Sequence, residues 1–231
     1  MQQGSRLESS GAVLFQTTAP LRWLRAGFWI SIVIAVAVVI RRLVALAYPS
    51  HSARPQLANL DATFASHAAL THIVPALFFV LLVPMFYSRR FADTVWVERL
   101  LYVLGAVVGI TAYAMSIYPI GGWGERSAVL FFNSLFLYSL ARSYGCMRRG
   151  QLLLKRSWMT RAIGILLGIA TTRPVMGIFF ATSPLTHLEP KQFFGIAFWI
   201  GFSINTLVVE LWLRFREHQP QIERQALHSK R

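Results

Sequence analysis

The sequence predicts an all-α protein: a polytopic transmembrane helix bundle of six spans with both termini cytoplasmic. Three observations predict it. Over 231 residues the chain is 55% hydrophobic and 14% charged, where a soluble domain carries about 25% charged residues. The apolar residues gather in six runs, each close to the roughly 20 residues that a helix needs to cross a bilayer. The Lys and Arg residues stand in short clusters between those runs and are shared unequally between the two sides, as membrane topology produces.

The runs fall near residues 24–47, 66–87, 99–118, 127–146, 157–181 and 192–213. Arg41 and Arg42 interrupt the first, where long arginine stems can carry their charges to an interface. Ala45-Leu46-Ala47 resembles a signal-peptide cleavage site, but the long charged leader and the arginines inside the run favour a retained span. The second run holds Pro75 and Pro84. The fifth begins near Ser157 and contains Arg161, Arg173 and Pro174. The sixth ends near Leu213, and a polar tail follows as a frayed helix. The domain plan is a cytoplasmic tail over 1–23, one membrane domain over 24–213 and a second cytoplasmic tail over 214–231.

Orientation follows from the basic residues. With the N-terminus inside, inner segments hold sixteen Lys and Arg, among them Arg89, Arg90, Arg142, Arg148, Arg149, Lys155 and Arg156; outer segments hold five, Arg41, Arg42, Arg54, Arg126 and Lys191. Such an excess marks the cytoplasmic side. Trp23, Trp96, Trp123, Trp158 and Trp212 stand near run ends, as interface anchors do.

Several function classes are disfavoured. The net charge of +14 would suit nucleic acid, but its placement between apolar runs argues against that partner. Cys146 is the only cysteine, which leaves no disulfide and no cysteine-based metal site. No HExxH, GxSxG, paired-carboxylate or glycine-rich phosphate motif occurs, so no catalytic residue is assigned.

Depth sorts the polar residues within the runs into two layers. At 1.5 Å rise per residue, Arg161 lies ~6 Å and Glu210 ~5 Å from the inner end of their helices. Consecutive helices are usually neighbours, so the two are expected to form a structural ion pair. Arg173 lies ~12 Å from the outer end of its helix, and His72 ~9 Å from the outer end of the second. Tyr113 and Asn133 are at similar depth. These four make a candidate ligand-binding layer in the outer half. A charge at a helix centre costs roughly 2.5–3.5 kcal/mol on insertion scales, and no Asp or Glu shares that depth. Arg173 is therefore expected to reach Glu125 or Glu189 in the outer loops (Asp61 is further off), lipid phosphate, or the anionic group of a ligand. Pro174 has no N–H for the carbonyl of Ala170, and the freed carbonyl needs another donor.

His67 and His72 are five residues apart, about 140° around a helix, and do not share a face. With His187 in the outer loop between the last two runs they are candidates for a single metal or haem at the outer rim. Two stacked haems are excluded, because no histidine falls in the inner half of a run. Gly105-x-x-x-Gly109 and Gly164-x-x-x-Gly168 let helices approach closely, and in a polytopic chain this points to internal packing.

The stretches HAALTHIVPALFFVLLVPMFYSRR, KRSWMTRAIGILLGIATTRPVMGIFF and FWIGFSINTLVVELWLR resemble a bacterial family of small polytopic membrane proteins, domain of unknown function 2306. The positions that carry the resemblance are His72, Trp158-Met159-x-Arg161, Arg173 and Glu210. Relatives often have a His-Arg-Trp-like segment after the second helix, and here the region reads VWVERL. The resemblance implies a membrane location and brings no activity with it; the location expected is the bacterial inner membrane. The functional expectation is a binding module for an anionic or amphipathic small ligand, quinone or haem being candidates, within the lipid bilayer. The alternatives are a small transporter with an Arg161–Glu210 inner gate, and a non-catalytic assembly or stress-response protein.

Overall fold

The computed structural model describes residues 23–41, 43–44, 67–88, 94–117, 119 and 121–228. All regular structure among them is helical. We number the helices α1 (Trp23–Arg41), α2 (His67–Tyr87), α3 (Val95–Met115), α4 (Gly122–Arg148), α5 (Leu152–Leu166), α6 (Gly168–Thr186) and α7 (Pro190–His228). Among the described residues five stretches are long and apolar enough to cross a membrane: Trp23–Arg41, Leu70–Tyr87, Val95–Met115, Leu152–Thr186 and Lys191–Arg216. Large apolar side chains such as Val103, Ile110, Ile178 and Leu207 point outward. A soluble surface avoids broad apolar patches, so both features are compatible with a multi-pass membrane protein.

The expected run at 127–146 lies in α4, which at 27 residues is long enough but not apolar enough to be counted with the five. The packing explains its composition. α4 lies against α3, α5 and α7, and its buried residues include Asn133, Ser139 and Ser143. A helix enclosed by other helices meets protein partners where an outer helix meets lipid, so it tolerates polar side chains.

The expected fifth run is two helices. α5 and α6 meet at Leu167, where the Ala170 N–H donates to the Leu167 carbonyl at 2.9 Å, a bond across three residues that tightens the chain locally. α6 then continues through Pro174 and Pro184. The last helix also outruns expectation: α7 extends from Pro190 to His228, so most of the polar tail continues it. The tail at 1–22 and residues 45–66 lie outside the described residues.

Side-chain contacts show the helices alternating in direction. At one end Phe28 near the start of α1 meets Tyr87 at the end of α2 and Trp212 in α7, while Tyr87 bonds Thr160 in the middle of α5. Glu98 at the start of α3 reaches Lys155 at the start of α5. This is the basic end. At the opposite end Gly121, just before α4, packs on Phe194 and Gly195 near the start of α7.

Between the ends sits a core of Phe79, Val83, Leu101, Phe136, Met159 and Ile163. Glycines set its closest approaches. A Cβ on Gly164 would collide with Val209, one on Gly168 with Phe202, and one on Gly201 with the backbone of Thr172. Gly105 and Gly109 face Leu140 and Leu137. Both glycine pairs therefore serve packing within the chain.

Candidate functional site

The basic end concentrates the ionic chemistry. Lys155 Nζ donates to Glu98 Oε1 at 2.5 Å, both side chains being largely buried. The groups around them complete a chain of bonds. Ser143 Oγ donates to the carbonyl of Lys155 at 3.0 Å, which leaves its oxygen as acceptor for the Tyr102 hydroxyl at 2.8 Å. Three helices, α3, α4 and α5, are thus joined through one polar knot. Burying a charge is tolerable only with such pairing and bonding.

Nearly two turns further along α5, Arg161 Nε donates to Glu210 Oε2 at 2.9 Å, with Nη2 at 3.4 Å from Oε1. Arg214, one turn on in α7, also reaches Glu210 Oε1 at 3.3 Å. The Arg161 guanidinium lies 4.7 Å from the ring centre of Trp158, a cation–π contact that fixes its plane. Arg161 and Glu210 are at matching depth, as their positions in the sequence imply.

A cleft of about 40 Å³ opens between α1, α5 and α7, lined by near neighbours of this pair in the chain but not by Arg161 or Glu210 themselves. It is bounded by Ser31, Gly164, Asn205, Val209 and Trp212, with Gly27 and Phe28 among its other walls. Gly164 is one turn from Arg161, and Val209 adjoins Glu210. Asn205 is fixed at both ends: its Nδ2 donates to the Gly164 carbonyl at 3.1 Å and its Oδ1 accepts from Thr171 at 2.7 Å. Ser31 Oγ donates to the Gly27 carbonyl at 2.9 Å. The volume exceeds the ~10–15 Å³ a water requires, and the polar groups supply its partners.

The expected outer layer is divided among separate helix contacts. Thr111 gives its hydroxyl hydrogen to the carbonyls of Val107 and Val108, so His72 Nδ1–H is the donor in the 3.0 Å contact between His72 and Thr111. Tyr113 donates to Ser134 at 2.7 Å, because Ser134 already donates to Leu130. Asn133 Nδ2 donates to the Gly109 carbonyl at 2.8 Å in a buried α3–α4 contact. Arg173 is exposed on α6, has a partner of its own, and sits on a helix that packs chiefly against α7. Three of the four are therefore brought into pairs across α2–α3 and α3–α4, and α6 makes no extensive contact with those helices.

Among the described residues no three His, Cys, Asp or Glu side chains gather to hold a metal. His187 is exposed in a left-handed turn at the end of α6 (φ 53°), and the His67 side chain lies outside the described residues.

Sequence reasoning missed the Glu98–Lys155 pair, having used Lys155 only to set orientation. The signal was present: Glu98 and Lys155 each stand at the first turn of a helix that starts from the basic side, so their depths match as those of Arg161 and Glu210 do. Comparisons with protein-family models, with curated proteins and with solved structures return no match.

Proposed function

We propose that the chain is a six-span protein of the bacterial inner membrane, both termini cytoplasmic, of the family it resembles. In this reading it holds or passes a small polar or amphipathic molecule through the cleft between α1, α5 and α7, with Arg161–Glu210 as an inner gate. The observation that carries the reading is a largely apolar cleft with two polar side chains, Ser31 and Asn205, whose wall residues Gly164 and Val209 stand next to that ion pair along α5 and α7. A charged pair that is only partly buried can open at modest cost, since solvent on one side stabilises the separated charges. Asn205 and Ser31 offer hydrogen bonds to an occupant, and Trp212 and Val209 offer it an apolar wall. This reading places the ligand in the cleft instead of the outer layer, three of whose members, His72, Tyr113 and Asn133, bond across helix contacts.

The test reads water access. Cys146 is replaced by Ala and Ser31 by Cys, leaving one thiol in the cleft wall. Maleimides react with thiolate, which forms only where water reaches. In inside-out vesicles a membrane-impermeant maleimide is expected to label Cys at this position slowly, and several-fold faster when Glu210→Gln removes the gate. Equal labelling with and without Glu210→Gln rejects the gate.

A further inference from the structure

We infer that the α4–α5 groove at the basic end, beside Trp158, is a binding site for the headgroup of an anionic phospholipid. Two guanidinium groups flank the Trp158 ring: Arg161 at 4.7 Å and Arg142, from α4, at 5.4 Å. Tyr138 meets the same ring edge-on at 5.6 Å. Arg161 is committed to Glu210. Arg142 is exposed and forms no ion pair among the described residues. Its contact with Trp158 orients a planar fork of N–H donors without using them, an arrangement suited to phosphate oxygens.

The surroundings say the phosphate belongs to a lipid. Arg142 and Trp158 each lie about six residues, or ~9 Å, below the tip of the α4–α5 hairpin. Around that tip Arg148, Arg149 and Arg156 are also exposed. Leu152, Leu153 and Leu154, which open α5, are 61%, 85% and 50% exposed. Three successive exposed leucines beside arginines are stable where acyl chains meet headgroups. Tyr138, one turn deeper than Arg142, is 54% exposed and extends the groove as an apolar wall for an acyl chain. A soluble anion would gain nothing from that wall, whereas a phospholipid uses both parts. This site shares Arg161 with the proposed gate but does not depend on the gate's opening.

The experiment is native mass spectrometry of the full-length protein in detergent, with phosphatidylglycerol or phosphatidylcholine added back. Phosphatidylglycerol adducts are expected to exceed phosphatidylcholine adducts. Arg142→Gln is expected to lower the phosphatidylglycerol affinity about fivefold, the weight of one arginine at an anionic surface. The control is Arg126→Gln, which removes the same charge at the other end of α4, where Arg126 also lies over a tryptophan, Trp123, at 5.0 Å; it should leave the adducts unchanged. Should Arg142→Gln fail to fold, Trp158→Phe decides, because it keeps a ring but removes the indole N–H and weakens the hold on Arg142; a several-fold loss is expected. The lipid site is rejected if Arg126→Gln and Arg142→Gln lose adducts equally, if the two lipids bind alike, or if inorganic phosphate at millimolar concentration displaces phosphatidylglycerol.

Discussion

Glu98 and Lys155, 57 residues apart in sequence, make the most buried ion pair among the described residues, with side chains 19% and 10% exposed. The pair ties the start of α3 to the start of α5 and, through the Lys155 carbonyl, to Ser143 of α4. Removing one partner of a buried pair strands the other charge, which costs roughly 3–5 kcal/mol. Glu98→Gln and Lys155→Met should each lower thermal stability in detergent by an amount in that range. Glu98→Leu with Lys155→Met should cost much less than the sum, since two apolar side chains can replace the pair. Additive losses would show that the two charges are not coupled.

The second pair should be weaker. Arg161 and Glu210 are 23% and 36% exposed, and Glu210 retains Arg214 when Arg161 is lost. Arg161→Gln should therefore cost about 1.5–3 kcal/mol, the worth of a hydrogen bond to a charged group. Arg161→Lys should fall between it and the native protein, because lysine lacks the fork that meets both carboxylate oxygens. Denaturation midpoints of the variants would rank the pairs; an Arg161 variant less stable than the Glu98 variant contradicts the burial order.

Glycine substitutions should separate by what the new Cβ meets. At Gly201 it would run into backbone atoms of Thr172, and at Gly195 into the Gly124 backbone, with contacts of 2.7 Å to its carbonyl carbon. Neither helix can yield without moving its partner. At Gly105 the nearest atom is the Leu140 Cδ2, 2.9 Å away at the end of a side chain that can rotate. Gly201→Ala and Gly195→Ala should each cost at least the ~1–3 kcal/mol typical of overpacking, and Gly105→Ala less. Thermal unfolding of the three variants checks the order.

Topology has its own measurement. Reporter fusions after Pro49, Ile120 and Pro190 should report the outside, and a fusion at Arg231 the inside. A tail that reads outside would sink the six-span arrangement.

Much of this protein was legible from the linear sequence. Runs such as 99–118, found as the helix Val95–Met115, are legible to within a few residues, because a helix facing lipid must be apolar along the whole thickness it crosses. The Arg161–Glu210 pairing was also legible, since a regular rise per residue converts position into depth, and equal depth on successive helices makes contact feasible. Depth says nothing, however, about rotation around a helix axis or about which helices are neighbours. His72, Tyr113, Asn133 and Arg173 are expected at similar depths from their run limits, yet Thr111, Ser134 and Gly109 take the first three into separate pairs, while Arg173 rides on α6 against α7. The same gap hid Glu98–Lys155, whose partners are separated by all of α4, and the Trp158 groove, which needs Arg142 of one helix turned toward the next. The sequence by itself determined which stretches are apolar helices and gave each polar residue an approximate place along its helix. Only the tertiary structure decided which side chains meet, because helix packing fixes azimuth through close contacts such as Gly164 on Val209 and Gly201 on Thr172, between residues far apart in the chain.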